Sequence, residues 1–159
     1  MINRLLIACL ALAAVPAAAA EPREWLGFSA VERTIEAEIK VADDATVIRR
    51  RSSGLYFSSD PSLFFNKSSF ECTGSFYVPA DDPDGRGYGQ CLGIDPQGNA
   101  WWMAYDGARN SGAWHFLGGT GRYDGIAGSG TWTAIPSTGP RRFVTTWDGE
   151  WSVERPPSQ

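Results

Sequence analysis

Histidine is almost missing from this 159-residue chain, which has only His115, and cysteine is scarce, at three. Two such shortages exclude a good deal of chemistry. A tetrahedral metal site lacks its ligands, so none is expected. A serine triad would have to take His115 as its base, with nothing in the sequence to orient it. A basic stripe is lacking too: 14 Lys and Arg stand against 18 Asp and Glu, a formal charge of −4. With the two signs interspersed, a phosphate backbone would be repelled, and nucleic acid is not expected as a partner. Nor does the apolar run Leu5–Val15 have the length to span a bilayer as a helix.

That run reads instead as part of a leader. Arg4 supplies the positive start, Leu5 to Val15 the apolar stretch, and Ala18-Ala19-Ala20 a small-residue cleavage site before Glu21, the three parts of a secretory signal. The expectation is an exported protein, periplasmic or extracellular, with residues 1–20 removed. Leu6-Ile7-Ala8-Cys9 resembles a lipoprotein box, but cutting there would leave about four apolar residues of leader, too few for the usual apolar region. No membrane anchor is therefore expected. Losing Arg4 takes the formal charge from −4 to −5. Cys9 leaves with the leader, and Cys72 and Cys91 remain in an oxidising compartment, where pairing is the default. A bridge closing a loop of about twenty residues is worth roughly 3 kcal/mol.

Residues 21–159 are one domain's worth of chain. Glycine and proline punctuate them about every eight to twelve residues, with β-branched and aromatic runs between, the signature of an antiparallel sandwich or barrel. The runs 33–41, 46–58, 69–79, 86–95, 99–106, 112–118, 127–135 and 142–154 make eight strands. Eight is the number at which a closed antiparallel β-barrel just fills with side chains or leaves room for one small ligand. Two runs have rivals. Ser29-x-x-Glu32 is a capping-box pattern that could open a helix, but Ile35, Ala37, Ile39 and Val41 alternate with charged residues, which favours a strand. Asp148-Gly149 is a hairpin signal, yet Phe143, Thr145, Trp147, Trp151 and Val153 share one parity, as in one long strand. Arg49-Arg50-Arg51 is the one basic cluster; along a strand its members point to both faces, and it reads as solvated charge.

Setting Cys72 opposite Cys91 puts the turn in Ala80–Asp84, which is turn chemistry, at a spacing that suits a disulfide. It also sets Phe70 against Gly93, Gly74 against Gly89 and Phe76 against Gly87. Pairing around the type I turn signal Asp95-Pro96-Gln97-Gly98 places Trp102 beside Cys91 and Ala104 beside Gly89. One face then carries Phe70, Cys72, Phe76, Cys91, Trp102, Trp114 and Phe116 among glycines, alternating large with small as a barrel interior does. Phe70, Phe76, Trp102, Trp114 and Phe116 are the expected ligand-lining residues. Glu71 and His115 fall outside, as do Trp101, Met103, Tyr105 and Leu117. Those last four make an outer patch suited either to a subunit contact or to cover by another part of the chain.

The stretch Gly118-Gly119-Thr120-Gly121-Arg122-Tyr123-Asp124-Gly125 is not a phosphate loop. The dinucleotide fingerprint needs glycine where Asp124 stands, and the Walker ending is absent. The segment from His115 to Trp132 resembles the glycine-rich GGTG segment of the allene oxide cyclase and dirigent-like barrels, notably their exported bacterial members. Looser likenesses extend over Ser52–Tyr56, the Cys72 and Cys91 pair, Gly87-Tyr88 and Asp95–Gly98. The resemblance implies an eight-stranded antiparallel barrel with an apolar cavity, frequently trimeric in the plant members, and no metal or organic cofactor. Neither the plant cyclases' catalytic residues nor the acidic cavity residues of dirigent proteins match positions here, so no catalytic residue is carried over.

Three functions follow. The first is binding of a small apolar or aromatic molecule in the lumen, whose expected lining holds no acid or base. The second is a cofactor-free isomerase or cyclase that acts by constraining its substrate's shape. The third is a structural or interaction module working through the outer aromatic patch.

Overall fold

The computed structural model describes residues 21–59, 64–137, 139 and 141–154; the expected leader and the last five residues lie outside them. The described chain is all-β apart from a single 3-10 turn, Gly121–Tyr123. The strands are β1 (Arg23–Ala42), β2 (Ala45–Ser58), β3 (Ser69–Pro79), β4 (Arg86–Ile94), β5 (Ala100–Gly107), β6 (Ser111–Gly119), β7 (Ile126–Pro136) and β8 (Arg142–Val153). Each pairs antiparallel with the next in sequence, and β1 pairs with β8 from Arg23↔Trp151 to Glu32↔Arg142, closing the barrel.

The strand reading of 33–41 holds, and the strand starts ten residues earlier, at Arg23. Ser29 is not a helix cap: it faces the interior, where its hydroxyl accepts a hydrogen bond from the Trp147 indole at 3.0 Å. The alternation in β1 does not run unbroken to the hairpin tip. Its register with β2 shifts by one between Ile35 and Ala37, as at a β-bulge, and Ile35, Ile39 and Val41 stay about half exposed.

Cys72 and Cys91 are bonded directly opposite each other, and Phe70↔Gly93, Gly74↔Gly89 and Phe76↔Gly87 pair as the cysteines require. The glycines make room: a Cβ on Gly87 would come within 2.6 Å of the Phe76 ring.

Between β4 and β5 the expected register is wrong by one residue. Three residues, Pro96-Gln97-Gly98, bridge the strands. The Gly98 N–H donates to the Asp95 carbonyl at 2.9 Å, the Asp95 N–H to the Asn99 carbonyl at 3.0 Å, and Gly98 takes a left-handed φ of +84°. This is a type I turn followed by a left-handed glycine, one residue longer than the tight hairpin assumed from sequence. A one-residue change reverses every side chain beyond it. Met103 therefore faces Cys91, Tyr105 faces Gly89, and Trp102 faces Leu92 on the outer wall. Trp101, Met103 and Tyr105 turn into the lumen, so the outer patch expected from them does not form, while Leu117 and His115 do face outward.

Candidate functional site

The two ends of the lumen differ. Toward one end the inward residues are Trp25, Tyr56, Trp101, Trp114, Phe116 and Trp151, all buried. The β2–β3 loop pushes Phe65 up among them. The Phe65 backbone has φ +69°, an unusual conformation for a bulky residue, and its surroundings hold it there. Its ring stacks on Trp25 at 4.8 Å and on Tyr123 at 5.2 Å, and its N–H donates to the Tyr123 hydroxyl at 2.9 Å.

Tyr123, with no exposed surface, is delivered by the glycine-rich 118–125 segment, and a polar clasp fastens that segment to the β4–β5 turn. Thr120 donates its N–H to the Ala100 carbonyl at 2.7 Å and accepts the Ala100 N–H on its hydroxyl at 3.0 Å. Arg122 Nε lies 2.7 Å from Asp95 Oδ2. Burial pushes the Asp95 carboxyl up, but hydrogen bonds from Asn99, the Arg122 charge and the Gln97 N–H outweigh it and hold the group below its ordinary value. The segment that carries the family resemblance is thus a structural floor.

The other end is open. There the alternation of β1 and β2 turns Arg33 and Arg50 inward, and the loops above add Asp84, Arg109 and Arg141 around a cavity of about 220 Å3. Its apolar lining is Ile35, Ile48, Phe76, Val78 and Phe143. Arg33 and Arg50 also line a deeper space of about 50 Å3, with Phe70, the disulfide, Tyr105, Trp132 and Trp147.

Arg50 is 7 % exposed. Its guanidinium lies 3.3 Å over the Phe76 ring and reaches the Arg109 carbonyl at 3.4 and 3.5 Å. Arg33 lies 4.0 Å over the Phe143 ring, and its buried Nε has no hydrogen-bond partner among the described residues. Burial and then neighbouring Arg33 pull Arg50 down to about 9, which leaves it cationic at neutral pH; burial lowers Arg33 as well. Tyr105 is raised by burial, against the pull of Arg50 and Arg33, so its phenol keeps its proton. Its hydroxyl end fills a gap left by Gly74 and Gly89, where added Cβ atoms would collide with it.

Among the described residues the ion pairs are Arg51–Glu71, on the outer wall, and Arg122–Asp95, at the floor; neither reaches the mouth.

Of the residues expected to line a ligand space, Phe76 lines the open cavity and Phe70 the space beneath it. Trp114 and Phe116 point inward but belong to the packed aromatic mass around Trp25. Trp102 is outside. The main residues missed are Arg33 and Arg50. The expectation that the arginine triple is solvated charge fails for its middle member: Arg50 is inside, Arg49 and Arg51 outside. The signal was in the alternation itself, which must send one of three consecutive strand residues to the opposite face from its neighbours.

No family model matches the chain, and no curated protein matches it. Among solved structures, it is similar to a pterocarpan synthase dirigent protein, with a TM-score of 0.51 over 87% of this chain and 90% of that one, at 10% sequence identity. At that identity the likeness is one of fold: the chain has a dirigent-like barrel.

Proposed function

We propose that this protein is an exported barrel that binds a small apolar or aromatic molecule in its lumen, admitted through the open mouth. The observation that carries the proposal is the cavity of about 220 Å3 walled by Phe76, Phe143, Ile35, Ile48 and Val78, in a barrel whose opposite end is filled by its own rings. The volume is below the roughly 300–1,000 Å3 of pockets for drug-sized ligands, which suits a body of one or two rings. The neutral dye N-phenyl-1-naphthylamine tests it. Its fluorescence should rise on the native protein and fall again on adding naphthalene. A rise seen only after unfolding in urea rejects lumen binding.

A second reading, a cofactor-free isomerase or cyclase, is supported by the protonated phenol of Tyr105 beside two guanidiniums in the deeper space, and by the synthase named among structures of like fold. Kinship with the allene oxide cyclases and their exported bacterial relatives belongs to this reading; a compound recovered from the barrel chemically changed would favour it over binding alone. Assembly into a homo-oligomer, trimers included, is supported by the outer wall, where the Phe28 and Phe57 rings stack at 5.3 Å beside exposed Leu26 and Leu55.

A further inference from the structure

We infer that the lumen takes its ligand as an organic anion: a carboxylate, or an oxyanion of similar size, on a flat apolar body, with the charged group held by Arg33 and Arg50 and the body against Phe76 and Phe143. The inference rests on the proposal of lumen binding and narrows it to one class of ligand.

Four guanidiniums, Arg33, Arg50, Arg109 and Arg141, line the cavity against one carboxylate, Asp84. Among the described residues no carboxylate lies within 4.0 Å of any of the four. Arg109 and Arg141 are exposed, but Arg50 is buried and Arg33 half-buried, and buried cations are ordinarily paired, because removing an unpaired charge from water is costly. The aromatic faces under Arg33 and Arg50 offset part of that cost, and the Arg109 carbonyl accepts from Arg50 only at the long end of hydrogen-bond distance. The buried Nε of Arg33 has no acceptor among the described residues. A planar donor fork without an acceptor matches a carboxylate geometrically.

The setting sharpens the contrast. The chain as a whole is acidic, with a pI near 4.9, so the cationic mouth is a local feature of a negative molecule, and low-dielectric walls focus such a field on the opening. The two inner arginines sit on strands and border both the open cavity and the space below it; Arg109 and Arg141 stand on the loops above. A guest therefore seats its charge deep and its rings toward the opening.

The test compares 1-naphthoate with naphthalene-1-carboxamide, which have nearly the same shape and differ in charge, by calorimetric titration at low salt. Naphthoate is expected to bind at least about tenfold tighter, the worth of one charge-assisted hydrogen-bond pair. Arg33→Gln and Arg50→Gln should each shrink that ratio, and Arg49→Gln, one residue from Arg50 on the outer face, should leave it intact; if Arg50→Gln does not fold, Arg33→Gln decides. Equal affinities, or a ratio that survives both inner substitutions, overturn the anion inference while lumen binding stands. Should the neutral dye also fail to enter the native barrel, the lumen-binding proposal falls with it.

Discussion

The floor and the mouth of this barrel are written in the same alternating code and solve opposite problems. At the floor the buried carboxylate and the Tyr123 hydroxyl arrive with partners: Asp95 has Arg122 and three N–H donors from Gln97 and Asn99, and the Tyr123 hydroxyl accepts from the Phe65 N–H and from Arg122, while the Trp25 and Trp101 indoles and the Tyr56 hydroxyl are buried there without a hydrogen-bond partner among the described residues. At the mouth Arg33 and Arg50 go inside with ring faces beneath them and no carboxylate within 4.0 Å among the described residues. A fully partnered buried network rigidifies a fold, whereas unpaired buried charge subtracts from its stability. The difference separates a region that holds the barrel shut from one whose inward charge has no counter-charge within 4.0 Å among the described residues.

Three substitutions put pressure on that contrast. Phe65→Ala should have the largest effect, about 3–5 kcal/mol of destabilisation by urea unfolding, since the ring fills the centre of the floor; a loss below about 1 kcal/mol would mean that the floor is not tightly packed. Asp95→Asn should cost about 1–3 kcal/mol at neutral pH by the loss of charged hydrogen bonds, and the cost should depend on pH in a defined sense. Because the folded state holds the Asp95 carboxyl below its ordinary value, its stabilisation is present above the unfolded value of about 3.9 and is lost as pH falls through the folded one. The gap between wild type and Asp95→Asn should therefore close in acid; a gap that persists there would deny the carboxylate its part in the clasp.

Arg50→Met should have the smallest effect and the opposite sign, a gain of about 1 kcal/mol at neutral pH, as when a buried charge gives way to an apolar side chain of similar length. Its folded value of about 9 lies below the ordinary 12.5, so the penalty on the charged form is fully present below pH 9 and eases above it. The gain should shrink correspondingly in alkali. A loss of stability at pH 7 would instead show the guanidinium to be a structural tie between Phe76 and the Arg109 carbonyl.

Much of the architecture was legible because a covalent constraint anchored it. The Cys72–Cys91 disulfide ties β3 to β4 residue by residue, and every pair derived from Cys72 opposite Cys91 is found. One strand further on that certainty ends, because nothing but turn length carries register into β5, and a single left-handed glycine at 98 exchanged its two faces. Phe65 was out of reach for another reason: it lies on a loop, where no periodicity marks a residue as buried. Trp25 lies in the first ten residues of β1, which precede the expected strand 33–41. Arg33 and Arg50 were hidden by chemistry rather than geometry. Charge argues for solvent, and alternation says only that one of three consecutive arginines faces away from its neighbours, without saying which face is the lumen.

The floor built from Tyr123 and Phe65 has a consequence for traffic. A tube open at both ends would let a visitor pass through, but this one is a flask: whatever enters by the arginine-rimmed neck must back out the same way. For a guest of the proposed kind, arrival and departure would therefore be opposed along one path, with dwell time set by how readily the neck lets it go.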